Sequence, residues 1–203
     1  ILHRLVGSEM CIRDRYYALL MITLYEVNAD KKALEKSIKI MNDTWELFFN
    51  KETQLFQKNI IKDNDLFASP LDLNDSNIPN GNSVYLLISN KLYSITNDKI
   101  WSERNEVLKK SFHQVLNSYY SQMFSFIKTL DICDNSLSFT FHGTSQSIKE
   151  MQVYLQKEYL GVATFVYQLN NDTKPSVIIC KNQTCSNKLT NISEAVEYLS
   201  KSD

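Results

Sequence analysis

Leu34-Glu-Lys-Ser-Ile38-Lys-Ile-Met41-Asn-Asp-Thr-Trp45-Glu-Leu-Phe48 places apolar side chains at steps of four and three. Leu34, Ile38, Met41, Trp45 and Phe48 therefore share one face of an amphipathic helix. Just upstream, Tyr16 to Val27 reads as a second, apolar-rich helix, and Asn28-Ala-Asp30 is a short polar connection. Two helices so joined form an antiparallel hairpin. Downstream, Val84, Leu87, Ile88, Leu92 and Ile95 repeat the helical step, and Asn82 is expected to open that helix by accepting from its first-turn amides. Thr96-Asn-Asp98 closes it. A fourth helix is expected from about Asp98 to Leu130, through Leu108, Phe112, Val115, Tyr119, Met123, Phe126 and Leu130.

The pattern then changes period. Leu137-Ser-Phe-Thr-Phe141 alternates like a half-buried strand, whereas Ile148, Met151, Leu155 and Tyr159 mark a helix from Ser147 to Tyr159. Ala163 to Leu169 and Ser176 to Cys180 are short β-branched or aromatic runs that read as strands. Asn191-Ile-Ser-Glu194 is a capping-box pattern opening a last helix through Val196 and Leu199. The expected fold is mainly α, with helical hairpins over residues 16–132 and a small β-α-β-β-α segment over 133–203.

Composition sets the outer limits. Of 203 residues, 43% are hydrophobic and 22% charged, with a formal net charge of -1, the profile of a globular domain with no basic stripe for nucleic acid. Apolar runs such as Tyr16 to Leu24 are far shorter than the eighteen or so residues that a membrane helix needs. Arginine is distributed unevenly: Arg4, Arg13 and Arg15 stand in the first fifteen residues, and Arg104 is the only one after them. Val6-Gly-Ser-Glu-Met-Cys-Ile-Arg-Asp14 resembles a translated sequencing-adapter read, so residues 1–15 are expected to be non-native. A signal peptide would need an uninterrupted apolar centre, which Glu9, Arg13 and Asp14 break. The absence of a starting methionine adds the expectation of a truncated gene. Abundant Lys, Asn and Ile suggests an AT-rich bacterial source. Beyond the opening segment, Cys133, Cys180 and Cys185 are too few for a disulfide framework, which makes a reducing, cytoplasmic setting the default. Asn-x-Ser/Thr triplets at Asn42, Asn182 and Asn191 are therefore not read as glycosylation sites.

Few constellations carry chemistry. Structural zinc takes four ligands, usually in two close pairs; Cys180 and Cys185 form one pair and no second exists, so no metal or other cofactor is expected. The same two cysteines are compatible with a disulfide if a turn joins them, while two packed thiols are the favoured reading in a reducing compartment. His113 reads as a helix histidine, and His142, before Gly143 at a strand end, is a weak active-site candidate. No glycine pattern cradles phosphate. The long stretch after Asn50, rich in Asn, Asp and Lys with Pro70 and Pro79, is the place where the sequence itself points to a site. Within it, Asp75-Ser-Asn-Ile-Pro79-Asn-Gly81-Asn82-Ser83 makes a tight turn into a helix. A helix amino terminus can receive an anionic or hydroxylated ligand, although a turn with a cap and no ligand is the more economical reading.

This stretch also carries a family resemblance. Asp75-x-x-x-Pro79-x-Gly81-Asn82-Ser83 is similar to the Asp-x-x-x-Pro-Ser-Gly-Asn-Ser motif of the spermatogenesis-associated thioredoxin-domain proteins, which join a thioredoxin-like domain to an α/α toroid. Tyr17-Ala-Leu-Leu to Leu24-Tyr-Glu26 and the terminal Cys180-x-x-x-x-Cys185 resemble two further motifs of that family, in the same order. The sequence departs from the family at Thr53-Gln-Leu55, where Gly-Gly is usual, at Asn80 in place of serine, and near Ala68-Ser-Pro70, where a basic residue would stand. The resemblance implies the carboxyl-terminal part of such a protein: a partial (α/α) toroid that is non-catalytic by itself and whose partners are the missing amino-terminal domains. It further implies a weak carbohydrate-like ligand site at Asp75, Pro79, Gly81, Asn82 and Ser83. The toroid also resembles those of N-acylglucosamine epimerases and six-hairpin glycosidases, so a carbohydrate-active enzyme is one alternative, although the paired carboxylates of glycoside hydrolysis are not identifiable. A redox role for Cys180 and Cys185 is another. Because a partial ring lacks neighbours, Trp45, Phe48 or the Phe112 and Tyr119 stripe is expected to be partly exposed.

Overall fold

The structure, a computed structural model, describes residues 11–58, 70–159, 161–181 and 184–200. Most of the segment expected to be foreign, Ala68-Ser69, Asn182 and the side chain of Tyr119 lie outside the described residues. The chain divides into two compact units, Ile1–Asp131 and Ile132–Asp203. It is mainly α, with a small mixed sheet in the second unit. Among the described residues no helix is long and apolar enough to cross a membrane.

In the first unit, α1 (Cys11–Asn28) and α2 (Lys31–Phe48) form the expected hairpin. Asp30 caps α2 by accepting from the amides of Lys32 and Ala33. Small residues let the two helices approach: Ala18 and Ser37 are fully buried, and the Ser37 hydroxyl donates to the Ala18 carbonyl at 3.0 Å. Ala29 ends α1 with φ 55°, its amide donating to the Tyr25 carbonyl at 2.7 Å. An alanine in this left-handed position carries a Cβ penalty that glycine avoids. Ala29→Gly is therefore expected to stabilise this unit by about 1 kcal/mol in urea unfolding followed by tryptophan fluorescence. Both tryptophans, Trp45 and Trp101, lie in this unit.

After α2 the expected long loop contains a small hairpin, β1 (Phe49–Asn50) and β2 (Leu55–Phe56), with Phe49 opposite Phe56. Asn50 shapes its turn by accepting from the amides of Glu52 and Thr53. The hairpin also covers the end of α2, Trp45 stacking on Phe49 with ring centroids 3.9 Å apart.

Two helices follow, α3 (Gly81–Thr96) and α4 (Lys99–Tyr119), joined at Asn97 (φ 55°) and Asp98, which caps α4. The expected single helix to Leu130 is broken: a 3-10 turn at Tyr120–Gln122 separates α4 from α5 (Phe124–Asn135). The loop before α3 causes the break. The Asp75 amide donates to the Gln122 carbonyl at 2.7 Å, and the Asp75 carboxylate accepts from the Ser125 amide at 2.7 Å, so that amide is not left for a continuous helix. Phe112 and Phe126 would lie about 21 Å apart along a straight helix; here their rings stack at 3.7 Å. The break thus lets α5 fold back and bury Phe112 and Phe126. Of the residues expected to be partly exposed, Trp45 is half-buried, whereas Phe48 and Phe112 are buried. The exposed apolar residues of the first hairpin are instead Leu20, Leu24 and Val27 on the outer side of α1, with Leu47 on α2.

In the second unit, β3 (Leu137–Gly143), α6 (Ser145–Glu158), β4 (Ala163–Leu169), β5 (Ser176–Lys181), β6 (Thr184–Cys185) and α7 (Ile192–Ser200) follow in order. The sheet runs β4-β3-β5-β6, with β3 parallel to β4 and the other pairs antiparallel. Phe139, Phe141, Val177 and Ile179 project from one sheet face onto Ile148, Met151 and Leu155 of α6 and Ala195 and Leu199 of α7. Gly143 has φ 143°, and a Cβ there would meet the Ser147 hydroxyl at 2.8 Å, so the strand-to-helix corner needs glycine. The capping box of α7 closes one residue early: Asn191 accepts from the Glu194 amide, while Glu194 reaches back to the Thr190 amide.

Candidate functional site

The Asp75 to Ser83 segment gathers onto the start of α3. Asn80, not Asn82, is the cap: its side-chain oxygen accepts from the Ser83 amide and hydroxyl, both at 3.0 Å. Asn82 lies inside the first turn, where its side chain is buried and acts as a staple. It accepts from the Phe56 amide at 2.9 Å and donates to the Asp72 carbonyl at 2.6 Å, fixing β2 and the returning chain to the helix. The Gly81 amide donates to the Asp72 carboxylate at 2.9 Å. Pro79 is exposed, and its carbonyl accepts a long hydrogen bond from the Tyr16 hydroxyl at 3.4 Å.

Asp75 ties the segment to α5. One carboxylate oxygen accepts from the Asn80 amide and side chain, each at 2.9 Å, and from the Ser125 hydroxyl. The other accepts from the Ser125 amide, and the Ser125 hydroxyl also lies 2.9 Å from that of Ser83. Burial by itself would raise the Asp75 pKa, but the hydrogen bonds from Ser125 and Asn80 outweigh it and hold the carboxyl below its ordinary value. Tyr16 is shifted upward, first by burial and then by the neighbouring Asp75 and Asp72.

The depressed Asp75 pKa fixes a pH dependence. The unfolded carboxyl binds protons more readily than the folded one, so its stabilising contribution is complete above the ordinary carboxyl range and is lost as pH falls through the folded value. Acid unfolding of the native chain is expected to steepen below about pH 4, and Asp75→Asn to flatten that part of the curve. Parallel acid curves for the two proteins would remove this role from Asp75.

Beneath these groups lies a feature that sequence reading did not find. Arg15 is fully buried, its guanidinium 3.1 Å from the Asp72 carboxylate and 4.4 Å above the centre of the Phe56 ring. Cys11 to Arg15 form the opening turns of α1, so a residue inside the segment expected to be foreign has a definite structural place. Gly81 completes the arrangement: a Cβ there would sit 1.6 Å from Arg15 and 2.3 Å from Asp72. A second buried pair, Lys91 to Glu26 at 2.7 Å, joins α3 to α1. A buried aspartate in Leu71-Asp72-Leu73 was the available signal, since such a carboxylate demands a cation.

A further polar and aromatic cluster surrounds Arg104. Its guanidinium lies 4.9 Å from the Trp45 ring and 5.1 Å from that of Trp101, and it donates to Asn42 and to the Tyr85 hydroxyl. Burial raises the Tyr85 pKa against the opposing effect of Arg104, so the phenol stays protonated.

The other candidates have the following places within their own units. His113 is exposed on α4. His142, next to last in β3, is half-buried, with its pKa lowered by burial and by Lys188. Cys180 and Cys185 are bonded as a disulfide, where two packed thiols were the favoured reading. The antiparallel register of β5 and β6 sets the two residues directly opposite each other and makes the bond. Comparison with known protein families and with curated proteins finds no match to this chain.

Proposed function

We propose that the chain is the carboxyl-terminal part of a cytoplasmic thioredoxin-domain protein of the spermatogenesis-associated kind. Its first unit forms the end of an α/α toroid, and the Asp75–Ser83 loop is a scaffold element with a shallow site for a carbohydrate-like ligand. The observation that carries this reading is the use of the loop's polar groups. Asn80, Asn82 and Ser83 are buried and bonded within the chain, and the Gly81 and Ser83 amides that could have received a ligand are held by Asp72 and Asn80. Asp72, the nearest carboxylate to Asp75 along the chain, is paired with Arg15, which supports a non-catalytic role because acid and base work on a glycosidic bond requires two available carboxyl groups. What remains toward the surface is the half-exposed Asp75 carboxylate, itself bonded to Asn80 and Ser125, with the Tyr16 hydroxyl on the Pro79 carbonyl and within reach of the Asp75 charge, which supports a shallow hydrogen-bonding site for a sugar hydroxyl.

The test is calorimetric titration of neutral mono- and disaccharides into the protein with its preceding domains. Binding that Tyr16→Phe weakens and Asp75→Ala removes is the expected result. Affinity unchanged in both variants, or no binding at all, overturns the ligand site. A gene in which no thioredoxin-like domain precedes Tyr16 overturns the assignment to this kind of protein.

A further inference from the structure

The Cys180–Cys185 disulfide occupies an edge of the second unit that the proposed ligand site does not use. It links β5, which is hydrogen-bonded to β3 over six register pairs, to β6, a two-residue strand at the end of the sheet. The two sulfurs differ in access: Cys185 is exposed, whereas Cys180 is half-buried in the strand between β3 and β6. From Thr173 to Ser193 the chain has Lys174, Lys181 and Lys188 and no acidic residue, so an incoming anion meets only positive formal charge along this segment. The segment after Cys185 is also held without the disulfide. The Ser186 amide donates to the Ile179 carbonyl at 2.8 Å, the Ile179 amide to the Ser186 hydroxyl at 3.0 Å, and Val177 and Leu189 exchange two bonds of 2.9 Å. These bonds keep the two cysteines opposite each other after reduction, which favours closure of the bond again over wider opening of the chain.

We propose that Cys180 and Cys185 form a reversible dithiol/disulfide couple that exchanges with an anionic low-molecular-weight thiol, and that Cys185 is the sulfur attacked. The external thiolate attacks Sγ of Cys185 and the S–S bond breaks; Cys180 leaves as a thiolate and takes up a proton. A second external thiolate attacks the external sulfur of the mixed disulfide and releases Cys185. Two thiols are thereby oxidised to one external disulfide, and two electrons enter the protein. The reverse sequence closes the bond again.

The test equilibrates the full chain with glutathione at graded ratios of reduced to oxidised form, quenches with acid, alkylates, and maps the modified cysteines by mass. The expected result is a two-electron transition of Cys180 and Cys185 together, reached without denaturant and retraced on reoxidation. In Cys180→Ser, Cys185 is expected to accumulate a glutathione adduct at least about tenfold faster than Cys180 does in Cys185→Ser. A chain isolated under air without the bond, reduction that requires denaturant, or equal rates at the two cysteines overturns the proposal.

Discussion

Asp72→Ala is expected to destabilise the first unit by about 3–5 kcal/mol, because it removes a directly bonded carboxylate from a buried guanidinium. Arg15 and the Asp72 side chain are 0% and 5% exposed, so water cannot replace the missing carboxylate without opening the packing around Phe56. The Gly81 amide loses its acceptor in the same step, which adds a desolvated donor to the loss. The measurement is the urea midpoint read from Trp45 and Trp101. Arg15→Ala is expected to fall in the same range, and a chain beginning at Tyr16 should be at least as weak as Arg15→Ala, since it lacks the guanidinium and the first turn of α1. Replacing both partners by leucine should recover most of the loss, because a buried pair exchanged for apolar groups is often neutral. A shift below about 1 kcal/mol for Asp72→Ala would mean that the pair behaves as an exposed one.

Gly81→Ala is expected to be comparably severe, although it adds a single methyl to a helix and alanine is the better helix former. The added Cβ would overlap Arg15 and Asp72 at 1.6 and 2.3 Å, and both side chains are enclosed, so the methyl can be admitted only by separating the pair. A loss of about 3 kcal/mol or more follows. A double-mutant cycle separates this from a backbone effect: Arg15→Ala removes the closer of the two overlaps and leaves that with Asp72, so the methyl should cost clearly less in that background than in the native chain. Equal losses in the two backgrounds would place the cause elsewhere.

Legibility followed the range of the interactions. Helices α1 to α3, the start of α4 and, in the second unit, β3, α6, β4, β5 and α7 were readable because one buried face imposes its period on the sequence, whereas the two-residue β6 was not expected. Strands β1 and β2 were not, since two residues cannot display alternation. The break after Tyr119 was hidden because Met123 and Phe126 continue the apolar steps, while the cause, Asp75, lies about fifty residues earlier. At the site, the pattern of Asp75, Asn80 and Ser83 was visible as a turn before a helix. Asn82 was mistaken for the cap because it shares the chemistry of Asn80 and stands only two residues away. Arg15 and Asp72, separated by 57 positions, have no local signature. Their pairing exists only once β2 and α3 have brought the chain together.

The capping arrangement at Asn80 also bears on how the molecule ages. An Asn-Gly step is chemically fragile in a mobile chain, because the glycine nitrogen can attack the asparagine carboxamide and expel ammonia through a cyclic imide. In this fold both reactants are restrained. The Gly81 nitrogen is directed at the Asp72 carboxylate, and the Asn80 carboxamide is held by Asp75, Ser83 and Ser125. The same contacts that start α3 therefore protect its weakest covalent link, and loss of ammonia at Asn80 becomes a clock for how often this corner of the molecule opens.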